Sequence, residues 1–466
     1  MSVTALHLGL LPWALGAVHA WSQLMSLGLA AAGFLLAALP RSGQSPAVRL
    51  WRWPVFWAGL ALMGYIALQG LNPAWRFTSD SDQWWLEPLA HVSWLPAGVA
   101  VPFAQSGPWR ALVVFASLWL LVCSVWAGFL RRKSYRLLFT FLVVNACFLA
   151  LLGALQALSG TKKIFWLYVP SNGSFCASFI YPNHAGAYLN LMVALAVGLT
   201  WWHHLRGRQR LEKPGAAASF MLAAAGIGLM VIFSYSRMSI VLLLVFTAGT
   251  GGVLAFRLGR QPGPVRRRPE FLPLTLALAA LLCFGGVVLR TEKVWSRFAG
   301  LMTDPAIAVR GRTLARAAAV DMLHDHWLLG WGAGCFRYGF THYTPNYPEI
   351  YRTPAGARMY WEHAHNDLLE FPIELGVLGL LPLAVVFGHG AWQLVRRRFW
   401  RNVVSLSIVL GCSLVLLHAG VDFVFQSPAV LLTWGVLFIA AGRWTELDQP
   451  GVWVSAPPRP GPLPVR

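Results

Sequence analysis

Charge is scarce in this chain: only 12% of its 466 residues are Asp, Glu, Lys or Arg, against about 25% in ordinary soluble domains. That excludes an ordinary cytosolic enzyme. Acidic residues are the rarest, 17 against 37 Lys and Arg. No Lys or Arg precedes Arg41, so the first apolar stretch lacks the charged n-region of a cleavable signal peptide and reads as one arm of a retained hairpin. Cysteine is sparse too. Cys123, Cys147, Cys283 and Cys412 fall inside apolar runs, where a small buried residue is the simplest reading. Cys176 and Cys335 fall in loops expected on the outer side, and both a disulfide between them and two separate thiols are open.

What the chain has in abundance is apolar sequence, with 57% hydrophobic residues and 24 Trp. Runs long enough to cross a ~30 Å hydrocarbon core, about 20 residues at helical rise, recur from end to end. Twelve spans are expected, near 4–21, 22–39, 53–71, 111–130, 137–158, 184–202, 216–235, 238–256, 271–289, 367–391, 402–424 and 428–445. Clusters such as Arg131-Arg132-Lys133, Arg266-Arg267-Arg268 and Arg396-Arg397-Arg398 fall in alternate loops. The positive-inside rule then puts both termini in the cytoplasm. The fold expected is an all-α polytopic bundle: spans 1–9 over residues 1–289, a large outer loop over 290–366, spans 10–12 over 367–446, and a Pro-rich disordered cytoplasmic tail over 447–466. The net charge of +20 sits mostly in short loops beside spans, where anionic membrane lipids are the natural counter-charge, so no nucleic-acid partner is expected.

Three outer segments exceed a simple hairpin, near 72–110, 159–183 and 290–366. The last has a helix signal from Gly311 to Leu329, ended by Gly330, Gly332 and Gly334, since glycine is the usual residue past a helix C-terminus. Beyond it, Phe336 to Trp361 is rich in Tyr, Pro and Thr. Aromatic rings with hydroxyl tips suit a membrane interface or a sugar surface equally.

Many cations stand on the outer side, where topology disfavours them, among them Arg237, Arg310, Arg312, Arg316 and Arg337. An anionic phosphate or diphosphate is the natural outer-leaflet ligand for such groups. Arg237, in Ser234-Tyr235-Ser236-Arg237 between two apolar runs, is either functional or an arginine that snorkels to the interface. The densest polar run, Glu362-His363-Ala364-His365-Asn366-Asp367, opens span 10. If the helix reaches back far enough, His363, Asp367, Glu370 and Glu374 form one polar stripe and His365 lies on the other side. His365 can serve as a general base, since an imidazole with a pKa near ~6.5 accepts a hydroxyl proton at neutral pH. Paired with His363 it can also be read as a metal ligand, but His-x-His with one carboxylate does not close a ligand set. Pro372 is expected to kink the span just below His365. Glu374 and Asp422, carboxylates at membrane depth, are expected to partner outer arginines.

Four ordered segments carry a family resemblance. His365-Asn366, nine residues and then Gly376-Val377-Leu378-Gly379 resembles the signature of the bacterial O-antigen ligase and O-antigen polymerase superfamily. Phe179-Ile180-Tyr181-Pro182-Asn183-His184-Ala185, Ser236-Arg237, and Gly311-Arg312 leading to Asp325-His326-Trp327-Leu328-Leu329-Gly330-Trp331-Gly332 agree with it, over roughly residues 160–430. Leu380 departs from the Gly, Thr or Tyr that many ligases carry there. The resemblance implies a glycosyltransferase of the bacterial inner membrane, with its site facing the periplasm. Its donor would be an undecaprenyl-diphosphate-linked glycan, and its acceptor a lipid A-core sugar or a second lipid-linked glycan.

Carried over, His365 matches the family's essential histidine and Arg237 and Arg312 match arginines that hold the diphosphate, joined by Arg310 or Arg316. His363, Asn366, Glu374 and Asn183 are the supporting polar groups. No cofactor and no metal is implied, because guanidinium groups can stabilise the departing diphosphate, and direct displacement would invert the anomeric centre. A ligase, a polymerase and a transferase directed at protein would share these residues. A lipid-linked-oligosaccharide flippase is the rival from another class, and its charges should line a path through the bilayer.

Overall fold

The computed structural model describes the chain apart from residues 40–45, 81–82, 171–172, 211–214, 260–304, 353–355, 357 and 448–466. Helices dominate. In chain order they are α1 (Ser2–Trp13), α2 (Ala20–Ala38), α3 (Pro46–Trp51), α4 (Pro54–Leu71), α5 (Pro108–Gly128), α6 (Arg132–Ser159), α7 (Pro182–Arg210), α8 (Gly215–Phe233) and α9 (Arg237–Gly259). They continue as α10 (Pro305–Asp325), α11 (Phe336–Gly339), α12 (Pro348–Tyr351), α13 (Asp367–Arg396), α14 (Val403–Ala419) and α15 (Pro428–Glu446). Among the described residues, eight helices are long and apolar enough to cross a membrane: α2, α4 to α8, α13 and α15. α9 and α14 are shorter apolar helices. The span expected over 271–289 and most of the tail expected over 447–466 lie outside the described residues.

The chain is a polytopic helical membrane protein, and α6 shows why its sequence requires lipid. Leu137, Phe141, Val144, Phe148, Leu151, Leu155 and Leu158 are exposed at alternating spacings of four and three, while Leu138, Leu142, Ala146 and Leu149 are buried on another face. A helix apolar all round that leaves one apolar face uncovered is stable in hydrocarbon and not in water. α7 and α15 are the opposite case, largely enclosed by their neighbours, and they form the centre of the bundle.

Two expectations need correction. The first span is a helix of only 12 residues, broken near Pro12 and followed by a tight turn at Leu15–Ala17 in which Gly16 takes φ 73°. At 1.5 Å per residue it reaches about 18 Å, short of the hydrocarbon thickness. The segment 72–110 departs from the all-α expectation: it holds a three-stranded sheet of β1 (Pro73–Ser79), β2 (Trp84–Pro88) and β3 (Gly98–Ala100), with β1 central, antiparallel to β2 and parallel to β3. Trp75, Phe77, Trp84 and Leu86 pack with Val99, Cys335 and Tyr338, giving the loops at this end a core of their own. Alternate residues of a strand share a face, so the polar residues between them point away.

The helix expected over 311–329 runs instead over Pro305–Asp325. The Tyr-rich stretch after it folds back, with Tyr343 Oη donating to Asp325 Oδ2 and Tyr347 Oη to Asp321 Oδ2, both at 2.7 Å. These tyrosines hold loop to helix. Cys176 and Cys335 are both free and buried. Burial pushes the Cys176 thiol up to about 12 and that of Cys335 higher.

Candidate functional site

The helices that begin at the end of the bundle carrying the sheet and α10 include α7, α9, α13 and α15. Their first turns leave backbone N–H groups unpaired and present the positive ends of the helix dipoles. The turn from α14 into α15 supplies Asp422, the turn before α13 supplies His365, and Asn183 opens α7. α14 ends at Ala419, so Asp422 lies in a turn rather than inside a span.

His365 Nδ1 meets Asp422 Oδ1 at 3.3 Å. The other carboxylate oxygen accepts from Asn183 Nδ2, and Phe423 N–H donates to Oδ1 at 3.0 Å. A carboxylate on Nδ1 selects the Nδ1–H tautomer and leaves Nε2 as the proton acceptor. The imidazole is walled by Trp361 and Phe423, with ring centroids at 5.8 and 4.9 Å, and 27% of the side chain is exposed. Its backbone takes φ 50°, a left-handed conformation that costs a non-glycine residue energy and is tolerated where surrounding structure fixes it. Burial opposes ionisation of Asp422, but the hydrogen bond and charge of His365, with His418 and Arg312, outweigh it and hold the carboxyl at about 2.

The expected arginines act on these carboxylates at longer range, Arg312 on Asp422 and Arg337 on Glu374, while the hydrogen bonds go elsewhere. Asp422 meets His365 and Asn183, and Glu374 Oε1 accepts the backbone N–H of Phe336 at 3.1 Å. Nor does the helix reach back to His363. α13 starts at Asp367, and Asn366 stands at its N-cap position without a side-chain cap. His363 nonetheless folds back onto the stripe, its Nδ1 at 2.7 Å from Glu370 Oε1. Burial first, then the charge of Arg337, lower the His363 imidazole to about 3, so it is neutral at ordinary pH and donates to Glu370. The two histidines thus turn to different carboxylates, which removes the paired-ligand reading.

The arginines separate into distinct settings. Arg312 is half-buried on α10 with its field reaching Asp422. One turn on, Arg316 Nη2 donates to Gly420 O at 3.5 Å, tying α10 to the turn that carries Asp422. Arg310 is turned away to Glu349 at 2.5 Å on the exposed side. Arg237 heads α9, half-buried, after a turn in which Tyr235 takes φ 55°. Ser239 O accepts from Asn190 Nδ2 at 2.9 Å, which fixes that turn against α7. A cavity of about 590 Å³ lined by Ser234, Tyr235, Lys162 and Asn183 joins the Arg237 turn to the partner of Asp422.

The span that follows His365 is discontinuous, and the break falls at Gly376 (φ 61°, ψ 177°) rather than at Pro372. Trp331 N–H and Gly332 N–H take the carbonyls of Ile373 and Glu374 at 2.8 and 2.9 Å, while Val377 N–H and Leu378 N–H donate to Trp327 and Leu328 at 2.8 and 3.2 Å. Gln69 Nε2 adds a bond to the Glu374 carbonyl at 3.0 Å. In lipid every freed backbone group needs such a partner. The two glycine-bearing segments 327–332 and 376–379 are thereby one interlocked unit beneath the site.

A paired imidazole and carboxylate, with the field of Arg312 reaching the carboxylate, thus stand at one end of a polytopic membrane protein. Residues 220–384 match the family model for O-antigen ligase, so this segment is similar to the O-antigen ligase and polymerase superfamily, whose members are glycosyltransferase-like. No curated protein sequence matches the chain. The matched segment includes Arg237, Arg312 and His365, whereas Asn183 and Asp422 lie outside it. Sequence reasoning noted Asp422 only as an arginine partner, and it gave Arg110 and Arg337 no role of their own.

Proposed function

We propose that this protein is an O-antigen ligase-type transferase of the bacterial inner membrane, acting at the periplasmic face. It would move a glycan from undecaprenyl diphosphate to a lipid A-core sugar. The observation that carries the reading is His365 Nδ1 on Asp422 Oδ1 at 3.3 Å, with Arg312 close enough to act on the same carboxylate.

In this reading the acceptor hydroxyl gives its proton to His365 Nε2, and its oxygen attacks the anomeric carbon as the bond to the diphosphate breaks. Asp422 holds the ring and stabilises the imidazolium that forms, the role a buried carboxylate plays in a histidine-based relay. Arg312 and Arg237 take the charge that grows on the departing lipid diphosphate. His363, Asn366 and Glu374 shape the turn that carries His365, and Asn183 keeps Asp422 in register. The suspect groups gather at one end of the bundle, which favours transfer over passage of a lipid-linked sugar across the bilayer.

The test supplies purified protein with lipid-diphosphate-linked glycan and, in separate reactions, a lipid A-core acceptor, a second lipid-linked glycan and a pilin-type peptide. Transfer to the core is expected, and transfer to the second lipid-linked glycan alone would make the protein a polymerase. His365→Ala should lose transfer by about 10²–10⁴-fold, the usual worth of a general base, while still binding the donor. Arg237→Gln or Arg312→Gln should weaken donor engagement. Wild-type transfer by all three variants would remove the mechanism.

A further inference from the structure

A second polar cavity, of about 310 Å³, is lined by Arg110, Arg337, Glu362, His363, Tyr181 and Glu374. The two polar cavities share Tyr181, whose hydroxyl is 3.4 Å from Glu362 Oε2. The charge balance of this cavity is unusual. The hydrogen bonds of Arg110 run to neutral oxygens, from Nε to Gln23 Oε1 and from Nη1 to Ala104 O, both at 2.8 Å, and from Nη2 to Val18 O. Arg337 has its nearest carboxylate, Glu362, at 3.9 Å. Glu374 Oε1 is turned to the Phe336 N–H and Glu370 Oε1 to His363 and Gln426. Two guanidinium groups therefore face one space in which Glu362 is loosely held, while Glu374 and Glu370, which also lie within the field of Arg337, are engaged by Phe336 N–H, His363 and Gln426.

Beneath this cavity an apolar groove of about 390 Å³ runs into the membrane-spanning region between α4, α5, α13 and α15. Phe115, Phe371, Phe425 and Leu431 line both spaces, so the groove opens into the polar cavity. A cationic pocket continuous with an apolar channel at membrane depth matches one kind of molecule, an amphiphile with an anionic head.

We propose that the Arg110–Arg337 cavity binds an anionic substituent, a phosphate or a carboxylate, of a lipid-borne acceptor whose hydrocarbon chain occupies the groove beneath. The site is a separate cavity from the one beside the Arg237 turn, so donor and acceptor would occupy different spaces. The assignment of the two spaces as donor and acceptor rests on the transferase reading above. The binding itself does not.

The experiment measures lipid retention by the full-length protein in nanodiscs, with phosphatidic acid as the probe, diacylglycerol as its uncharged match and inorganic phosphate as the free anion. Phosphatidic acid should bind, diacylglycerol should bind at least tenfold more weakly, and phosphate alone should displace the lipid poorly. Arg337→Gln and Arg110→Gln should each weaken phosphatidic acid about tenfold or more, with Arg337→Lys retaining part of it. Ala384→Trp, at a lipid-exposed position lining the groove, should weaken lipid without altering the weak phosphate binding. Equal binding of the charged and uncharged lipids would overturn the proposal, as would unchanged affinity in monodisperse Arg337→Gln protein. Tight binding of inorganic phosphate that ignores Ala384→Trp would assign the cavity to free anions instead. Because no turnover is needed, failure here leaves the His365 test intact, and loss of transfer in His365→Ala leaves this binding intact.

Discussion

His365 works, in the proposed mechanism, through what its other nitrogen touches. With Nδ1 on Asp422 at 3.3 Å, the reactive Nε2 keeps one tautomer, and an amide in place of that carboxylate cannot stabilise the imidazolium. Asp422→Asn should therefore lower kcat by about 10²–10⁴-fold with donor KM little changed, while Asn183→Ala, which only frees Asp422 Oδ2, should cost less. A kcat of Asp422→Asn equal to wild type would show that the carboxylate is structural.

His363 supports a pH prediction with a definite sign. Its folded pKa is about 3, below the ordinary ~6.5, so the unfolded chain gains the proton first. The stability tied to its neutral form is full above about pH 6.5 and is lost as pH falls toward 3. Apparent Tm in detergent should drop over that window in the wild type and less in His363→Asn, which keeps a donor toward Glu370. A parallel drop in both proteins would assign the effect to another group.

At the scale of elements, the interlock of 327–332 with 373–378 holds the turn that presents His365. Gly330 and Gly376 take φ 74° and 61°, and a Cβ on either would meet the backbone of the other segment. A left-handed non-glycine residue costs about 1–2 kcal/mol before any clash. Gly330→Ala and Gly376→Ala should each lower the apparent Tm and reduce kcat together, whereas Gly388→Ala on the same helix, with open space around it, should not. Insensitivity of Tm in the first two would mean the glycines serve no backbone purpose. Both glycine clusters were legible as motifs. Their pairing was not, because hydrogen bonds between segments some 45 positions apart leave no trace in the local pattern of either. The same reason moved the break from Pro372 to Gly376: the loop that captures the Ile373 and Glu374 carbonyls decides where the helix can open.

The sheet of 73–100 is a different miss. Trp75 and Phe77 alternate with Arg76 and Thr78 as a half-buried strand should, but strands between membrane spans run against the surrounding helical pattern. Only Cys335 and Tyr338, packed on the same face, show why that alternation is there.

For the whole molecule, the proposed single displacement has a stereochemical consequence. Product linkage should be inverted relative to the donor, and nuclear magnetic resonance of the first transferred residue reads it directly; retention would require a covalent intermediate that the mechanism lacks. Transfer should also persist in EDTA, since guanidinium groups fill the electrostatic role at the diphosphate.

Apolar runs and basic clusters determined by themselves that this is a helical membrane protein, because crossing a bilayer constrains local composition strongly, and four ordered motifs carried its resemblance to the O-antigen ligase and polymerase superfamily. Which polar groups meet was decided by tertiary structure alone. Asn183, His365 and Asp422 come from three separate turns, and Arg312 reaches them from a helix outside the spans. Their pairing depends on how α7, α13 and α15 pack, and packing is a property of faces and distances that a linear pattern does not record.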